Sequence, residues 1–162
     1  MLVITGTLFF VHHRGHGGHE VLLIKQKKLC VLCALCGEFP YLCSVMEKFE
    51  LHILGCGSAL PTTRHFATSQ VVNVRDKLYM IDCGEGSQLQ FRKSRLKFSR
   101  LNHIFISHLH GDHCFGLLGL ISTLNLLGRT AELHIHSPKG LEALFAPMLS
   151  FFCRQMTYKV LF

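Results

Sequence analysis

Four ligand-type side chains fall within six positions at His108-x-His110-x-Asp112-His113. Residues two apart in extended backbone project to the same side, so His108 and His110 are expected to share one metal ion. Asp112 and His113 follow where the chain turns toward a helix and are expected to face a second ion close by. Imidazole nitrogen and carboxylate oxygen are ligands that zinc accepts in catalytic sites, where an open position holds water. Two such ions, roughly 3.5–4 Å apart, clamp the attacking and leaving oxygens of an in-line phosphoryl displacement and generate hydroxide at neutral pH. A single H-x-H pair would read as solvated loop histidines. The whole set, with Gly111 permitting a bend and an apolar strand leading in, reads as part of a two-metal hydrolytic centre.

Other clusters carry less. His134-x-His136 is a lone pair on an ordinary strand, and His52, His65 and His103 read as structural. Arg92, Lys93, Arg95, Lys97 and Arg100 place five cations in nine residues with no acid between them. Such a run is commonly a solvated helix face; beside a phosphodiester-cleaving site it is also a candidate contact for an RNA backbone. Cys30, Cys33, Cys36 and Cys43 have a spacing at which thiolates can wrap zinc or an iron–sulfur cluster. No second CxxC pair supports them, and their Leu and Val neighbours make the run read rather as a buried apolar stretch.

The elements that would position the histidines are those of an α/β domain. Phe49, Leu51 and Ile53 alternate with polar neighbours as in a strand, and Gly55-Cys56-Gly57-Ser58 ends it in a loop. Ser69 to Val74 and Lys77 to Ile81 read as a hairpin about Arg75-Asp76. Asp82-Cys83-Gly84-Glu85-Gly86 leads to a helix from Ser87 to about Leu96, and His103 to Ser107 is a buried strand. Phe115 to Leu127 carries an apolar stripe at helical spacing. Glu132 to His136 is a strand, Pro138 and Gly140 introduce a helix to about Phe152, and Thr157 to Phe162 begins a further strand.

Composition bounds the whole. A chain of 162 residues, 49% of them hydrophobic, can bury a core and is not a disordered protein. The net charge of +7 favours acidic partners such as nucleic acid. Met1 to Val11 is apolar but lacks a preceding basic residue and a following small-residue cleavage site, so it does not read as a signal peptide. No apolar run reaches the ~20 residues of a membrane helix, and the expectation is a soluble cytoplasmic protein whose eight cysteines stay reduced. Character changes near residue 45. Residues 1–45, with His12, His13, His16, His19 and the cysteine run, are expected to lie outside the native domain, which would begin at Met46.

The strand, HxHxDH loop and apolar helix resemble the metallo-β-lactamase superfamily, a four-layer αββα sandwich of two similar halves. Within it, Gly55-Cys56-Gly57-Ser58-Ala59-Leu60-Pro61-Thr62-Thr63-Arg64 and Ile81-Asp82-Cys83-Gly84-Glu85-Gly86-Ser87-Gln88 are similar to the ribonuclease Z branch. The resemblance runs from Met46 to the end, and implies roughly the first half of such a sandwich. It implies a tRNA 3′-processing endoribonuclease with two zinc ions, precursor tRNA as substrate and a homodimeric state. His108 and His110 would hold the first zinc, and Asp112 and His113 the second, with Asp112 also the proton acceptor. Asp82 would orient metal ligands, Gly84 and Gly86 would form a phosphate loop before a helix, and Arg64, Arg92, Lys93 and Arg95 would contact RNA. One departure bears on 3′-end recognition: Pro61-Thr62-Thr63-Arg64-His65 lacks the Lys within this loop and the Asn after its Arg that many relatives carry.

The family pattern places a His, a bridging Asp and a last His further downstream, so the 162-residue chain is expected to be an incomplete, inactive portion with apolar faces such as Phe151-Phe152 uncovered. Two other functions remain open. One keeps the zinc chemistry for a small phosphodiester, sulfate ester or thioester; the other is a non-catalytic fragment.

Overall fold

The computed structural model describes residues 7–14, 20–27, 49–60 and 62–162. The expectations for Cys30, Cys33, Cys36, Cys43, His16, His19, Pro61 and the boundary at residue 45 lie outside the described residues. Two strands not anticipated from sequence, β1 (Thr7–Arg14) and β2 (Glu20–Lys27), pair antiparallel into a sheet of their own.

A six-stranded sheet in chain order carries the rest: β3 (Phe49–Gly55), β4 (Ser69–Val74), β5 (Lys77–Cys83), β6 (Leu101–Phe105), β7 (Leu133–His136) and β8 (Val160–Leu161). The first three strands are antiparallel neighbours; β5 to β8 are parallel, so each later step needs a helical crossover. Those crossovers are α1 (Ser87–Lys93), then α2 (Gly111–Cys114) with α3 (Leu117–Leu126), then α4 (Leu141–Phe152). The β4–β5 hairpin turns at Arg75 and Asp76 with φ of 51° and 65°, both in the left-handed region that a tight two-residue hairpin requires.

One sheet face is closed. Val71, Leu78, Met80, Ile104, Leu133 and Ile135 pack with Phe91, Leu117, Leu120, Ile121, Leu124 and Leu141 of the helices in one buried cluster. Alternation sends their neighbours to the opposite face, where Val72, Val74, Tyr79, Ile81, Phe105 and His136 line a groove of about 680 Å³. At the far end of the core, buried Arg129 ties β6 to the start of β7. Its guanidinium donates to the carbonyls of Leu101, Ala131 and Glu132 and to Asn102 Oδ1, and packs over the Tyr158 ring. Phe151 and Phe152 are exposed.

Several element boundaries differ from the sequence expectation, each for a local reason. Helix α1 stops at Lys93 because Arg95 turns left-handed at φ 54° and the Leu96 N–H bonds back to the Phe91 carbonyl, a C-terminal cap of the Schellman type. The helix expected over Phe115–Leu127 holds its apolar stripe intact as α3 from Leu117 to Leu126; it starts later because the Gly116 N–H donates to the Cys83 carbonyl, which separates α2 from α3. Strand β6 begins at Leu101 and ends at Phe105, because the Ser107 N–H is taken by a side chain rather than by the ladder. Only Val160–Leu161 of the last apolar run pairs as strand.

His134 and His136 are not a lone pair. His103 on β6 lies against both, with ring centroids 5.0 and 5.5 Å away and its Nδ1 3.2 Å from His136 Nε2. Parallel pairing of His103 with His134 in register makes this contact, which sequence spacing alone could not reveal. Desolvation first, then neighbouring His134, His136 and Lys77, lowers the His103 pKa below its ordinary value.

Candidate metal centre

The centre is built at the ends of two neighbouring parallel strands. Beyond β6, Ser107 to His110 form a loop whose last residue caps α2, which carries Asp112 and His113 in its single turn. Beside it, β5 ends in a bulge: Gln70 pairs with Ile81 and Ser69 with Cys83, so Asp82 is the extra residue. Asp82 has φ 58°, a left-handed conformation that Asp tolerates better than most residues. The bulge breaks the strand's alternation, leaving Asp82 and Cys83 both buried and directing the Asp82 carboxylate at the loop. Gly84 lies immediately after it, where an added Cβ would run into the Asp112 carbonyl oxygen and the Ala67 side chain. Only a residue without Cβ permits this approach of the strand end to the ligand loop.

Three histidine rings gather here. The His108 ring lies 4.7 Å from His110 and 3.8 Å from His113, centroid to centroid. His113 Nδ1 is 2.8 Å from Asp82 Oδ2, which leaves its Nε2 facing outward, 3.5 Å from Asp112 Oδ2. Two donors on one tetrahedral zinc, each at roughly 2.0–2.1 Å, lie roughly 3.4 Å apart. The Asp112–His113 pair therefore has the spacing of two ligands of one ion, and its imidazole is backed by a carboxylate as metal-bound histidines are. Among the described residues, no group of three or more His, Cys, Asp or Glu side chains closes on a point that could hold an ion alone. The donor types and pair spacing fit a metal such as zinc; a full coordination shell needs donors besides these.

A cleft of about 860 Å³ opens beside the histidines. His110, Gly111 and Asp112 form one wall, Glu85 and Gly86 another, and His65, Phe66 and Phe115 are among the other lining residues. Of the residues proposed for RNA contact, Arg64, Arg92, Lys93 and Arg95 are all exposed. Lys93 Nζ sits 5.3 Å above the Phe66 ring, placing this cation at the cleft's rim. Arg100, from the same basic run, is instead paired with Asp76 at 2.9 Å. The Gly84–Gly86 segment borders the cleft, but α1 has only seven residues, and the Ser87 N–H already donates to the Gly84 carbonyl.

Ser107 and the aromatic lining were not singled out from sequence. Ser107 is adjacent to His108, which is a signal only once Asp82 is known to lie opposite it. The four described cysteines are free, and burial pushes the Cys83 thiol up to about 12 despite an opposing hydrogen bond with Ser87, so it stays protonated. No described helix is long and apolar enough to cross a membrane.

Residues 49–157 match the family model described as Anti-Pycsar protein Apyc1. A protein named ribonuclease Z from Bacteroides thetaiotaomicron is 86% identical over 117 residues, covering 72% of this chain and 37% of that protein. A ribonuclease Z from Bacteroides fragilis is likewise 86% identical over 117 residues, with 72% and 38% covered. The chain thus spans little more than a third of the length of these relatives. The human short-form tRNase Z has the same fold over the shared part, with a TM-score of 0.64 at 35% identity, 68% of this chain and 43% of that one. A long-form RNase Z from yeast gives a TM-score of 0.58 at 23% identity over 69% of this chain and 17% of that one, a likeness of fold. Over residues 49–157 the chain belongs to the family whose model is described as Anti-Pycsar protein Apyc1, and over 117 residues it corresponds to part of ribonuclease Z, on a metallo-β-lactamase fold with a helix-backed mixed sheet.

Proposed function

We propose that the full-length protein is a zinc-dependent endoribonuclease that removes 3′ trailers from precursor tRNA. It would cut the phosphodiester 3′ of the acceptor stem and leave a 3′-hydroxyl on the tRNA. The observation that carries this reading is the Asp112–His113 donor pair, 3.5 Å apart beside the His108 and His110 rings, at the edge of an open cleft. In this reading His108 and His110 hold one zinc, Asp112 and His113 the other. When bound, the ions supply Lewis-acid polarisation of the phosphate and make water easier to ionise. Asp112 accepts the proton of the attacking water, and Asp82 holds the His113 ring in place through Nδ1. The cleft wall at Phe66 and Phe115 offers apolar surface on which an unpaired base can stack. The enzyme acts in the cytoplasm as a homodimer, and its domain begins at Met46. The 117 aligned residues equal the span from Met46 to Phe162, and β1 and β2 form a separate sheet, both in keeping with that boundary.

The deciding experiment offers the zinc-loaded full-length protein a 3′-extended tRNA and, separately, small phosphodiesters. Cleavage of the tRNA at the trailer junction is expected. The second reading is a hydrolase of small phosphodiesters, favoured by a cleft volume within the range of small-molecule sites. Turnover of the small esters with intact tRNA would establish it and reject the first.

The exposed basic run gives an independent expectation. Neutralising Arg92, Lys93 and Arg95 together should weaken tRNA binding and lower the slope of log K against log salt by about 2–3, since each phosphate contact contributes about 0.7–0.9. An unchanged slope would make the run a solvated helix face.

A further inference from the structure

We propose that Ser107 is a positioning residue through which one buried carboxylate, Asp82, sets the tautomer of both His108 and His113. The consequence for metal binding rests on the reading of those histidines as zinc ligands. Asp82 is 4% exposed and receives the Ser107 N–H at 2.8 Å on Oδ1. The Ser107 hydroxyl lies 2.9 Å from each carboxylate oxygen, and His113 Nδ1 lies 2.8 Å from Oδ2.

An ionised carboxylate only accepts hydrogen bonds, so each of these three groups must donate to it. A serine hydroxyl has one hydrogen, and here that hydrogen is committed to Asp82. What Ser107 Oγ offers to His108 Nδ1, 3.0 Å away, is a lone pair. His108 must then carry its proton on Nδ1, as His113 does. In the neutral form of either ring this tautomer leaves Nε2 unprotonated, the atom free to bind a metal. His113 Nδ1 is 3.4 Å from Ser107 Oγ, so its main acceptor is the carboxylate, and the hydroxyl serves His108. The hydroxyl is thus the means by which a carboxylate in contact with one ring also orients a second.

The test is a long-range ¹⁵N–¹H correlation spectrum of histidine-labelled, metal-free full-length protein, joined to zinc affinity by chelator competition. Wild type is expected to show Nδ1–H at both His108 and His113. In Ser107→Ala, His108 should redistribute toward Nε2–H while His113 stays Nδ1–H, and zinc affinity should fall roughly tenfold. Ser107→Thr, which keeps the hydroxyl, should restore both. Nε2–H at His108 in wild type would overturn the inference even if Ser107→Ala does not fold. So would an unchanged His108 in Ser107→Ala, or equal changes at both rings. Nδ1–H at both rings in a protein that takes up no zinc would support this inference and overturn the function proposed above.

Discussion

Replacing His108 and His113 together by Ala is expected to abolish specific zinc retention in the full-length protein, read by elemental analysis after dialysis. The two rings lie side by side at 3.8 Å, yet in the proposed centre each belongs to a different donor pair, so the double substitution would remove a ligand from both ions at once. The loss should exceed the roughly 10–100-fold in affinity that removing an outer hydrogen-bond partner costs. It also leaves the Asp82 carboxylate, buried in its bulge, without its imidazole partner. His134→Ala serves as the control, because that ring stacks on His103 at the sheet face rather than on the ligand loop. Undiminished zinc in the double variant would remove these histidines from the metal centre.

Asp112→Ala should lower cleavage of 3′-extended tRNA by about 10³-fold or more, since under the proposed roles one substitution takes away both a metal ligand and a proton acceptor. Binding of the same tRNA should change by no more than about threefold, because affinity for a polyanion is carried by cations along its backbone. Asp112→Asn separates the two roles: it keeps an oxygen donor but cannot accept the proton. Retained zinc with lost cleavage in Asn would assign the defect to proton transfer. Comparable losses of binding and cleavage in Ala would make Asp112 a purely positional residue.

The local pattern of the centre was legible because it depends on near neighbours in the chain. Four ligand-type residues in six positions, a strand buried on one face before them and Gly111 within them lie inside one strand–loop–helix unit. The hairpin at Arg75-Asp76 and the strand periods were legible for the same reason. Element ends were less so, because they were decided by partners distant in sequence. The Gly116 N–H is directed at the Cys83 carbonyl, between two helices, and Ser107 left its strand for Asp82, 25 residues away.

Residue types and short spacings, by themselves, pointed to a candidate donor set and determined the α/β alternation and the resemblance to one enzyme branch, since side-chain period and turn chemistry act over a few residues. Tertiary structure alone decided that a bulge at Asp82 aims its carboxylate into the ligand loop and that Ser107 extends that contact to His108. It also set His103 against His134 and His136, and Lys93 over Phe66 at the cleft. Each of these contacts joins segments brought together by parallel pairing or helix packing. Their energies depend on distances of about 3–5 Å that no linear spacing encodes.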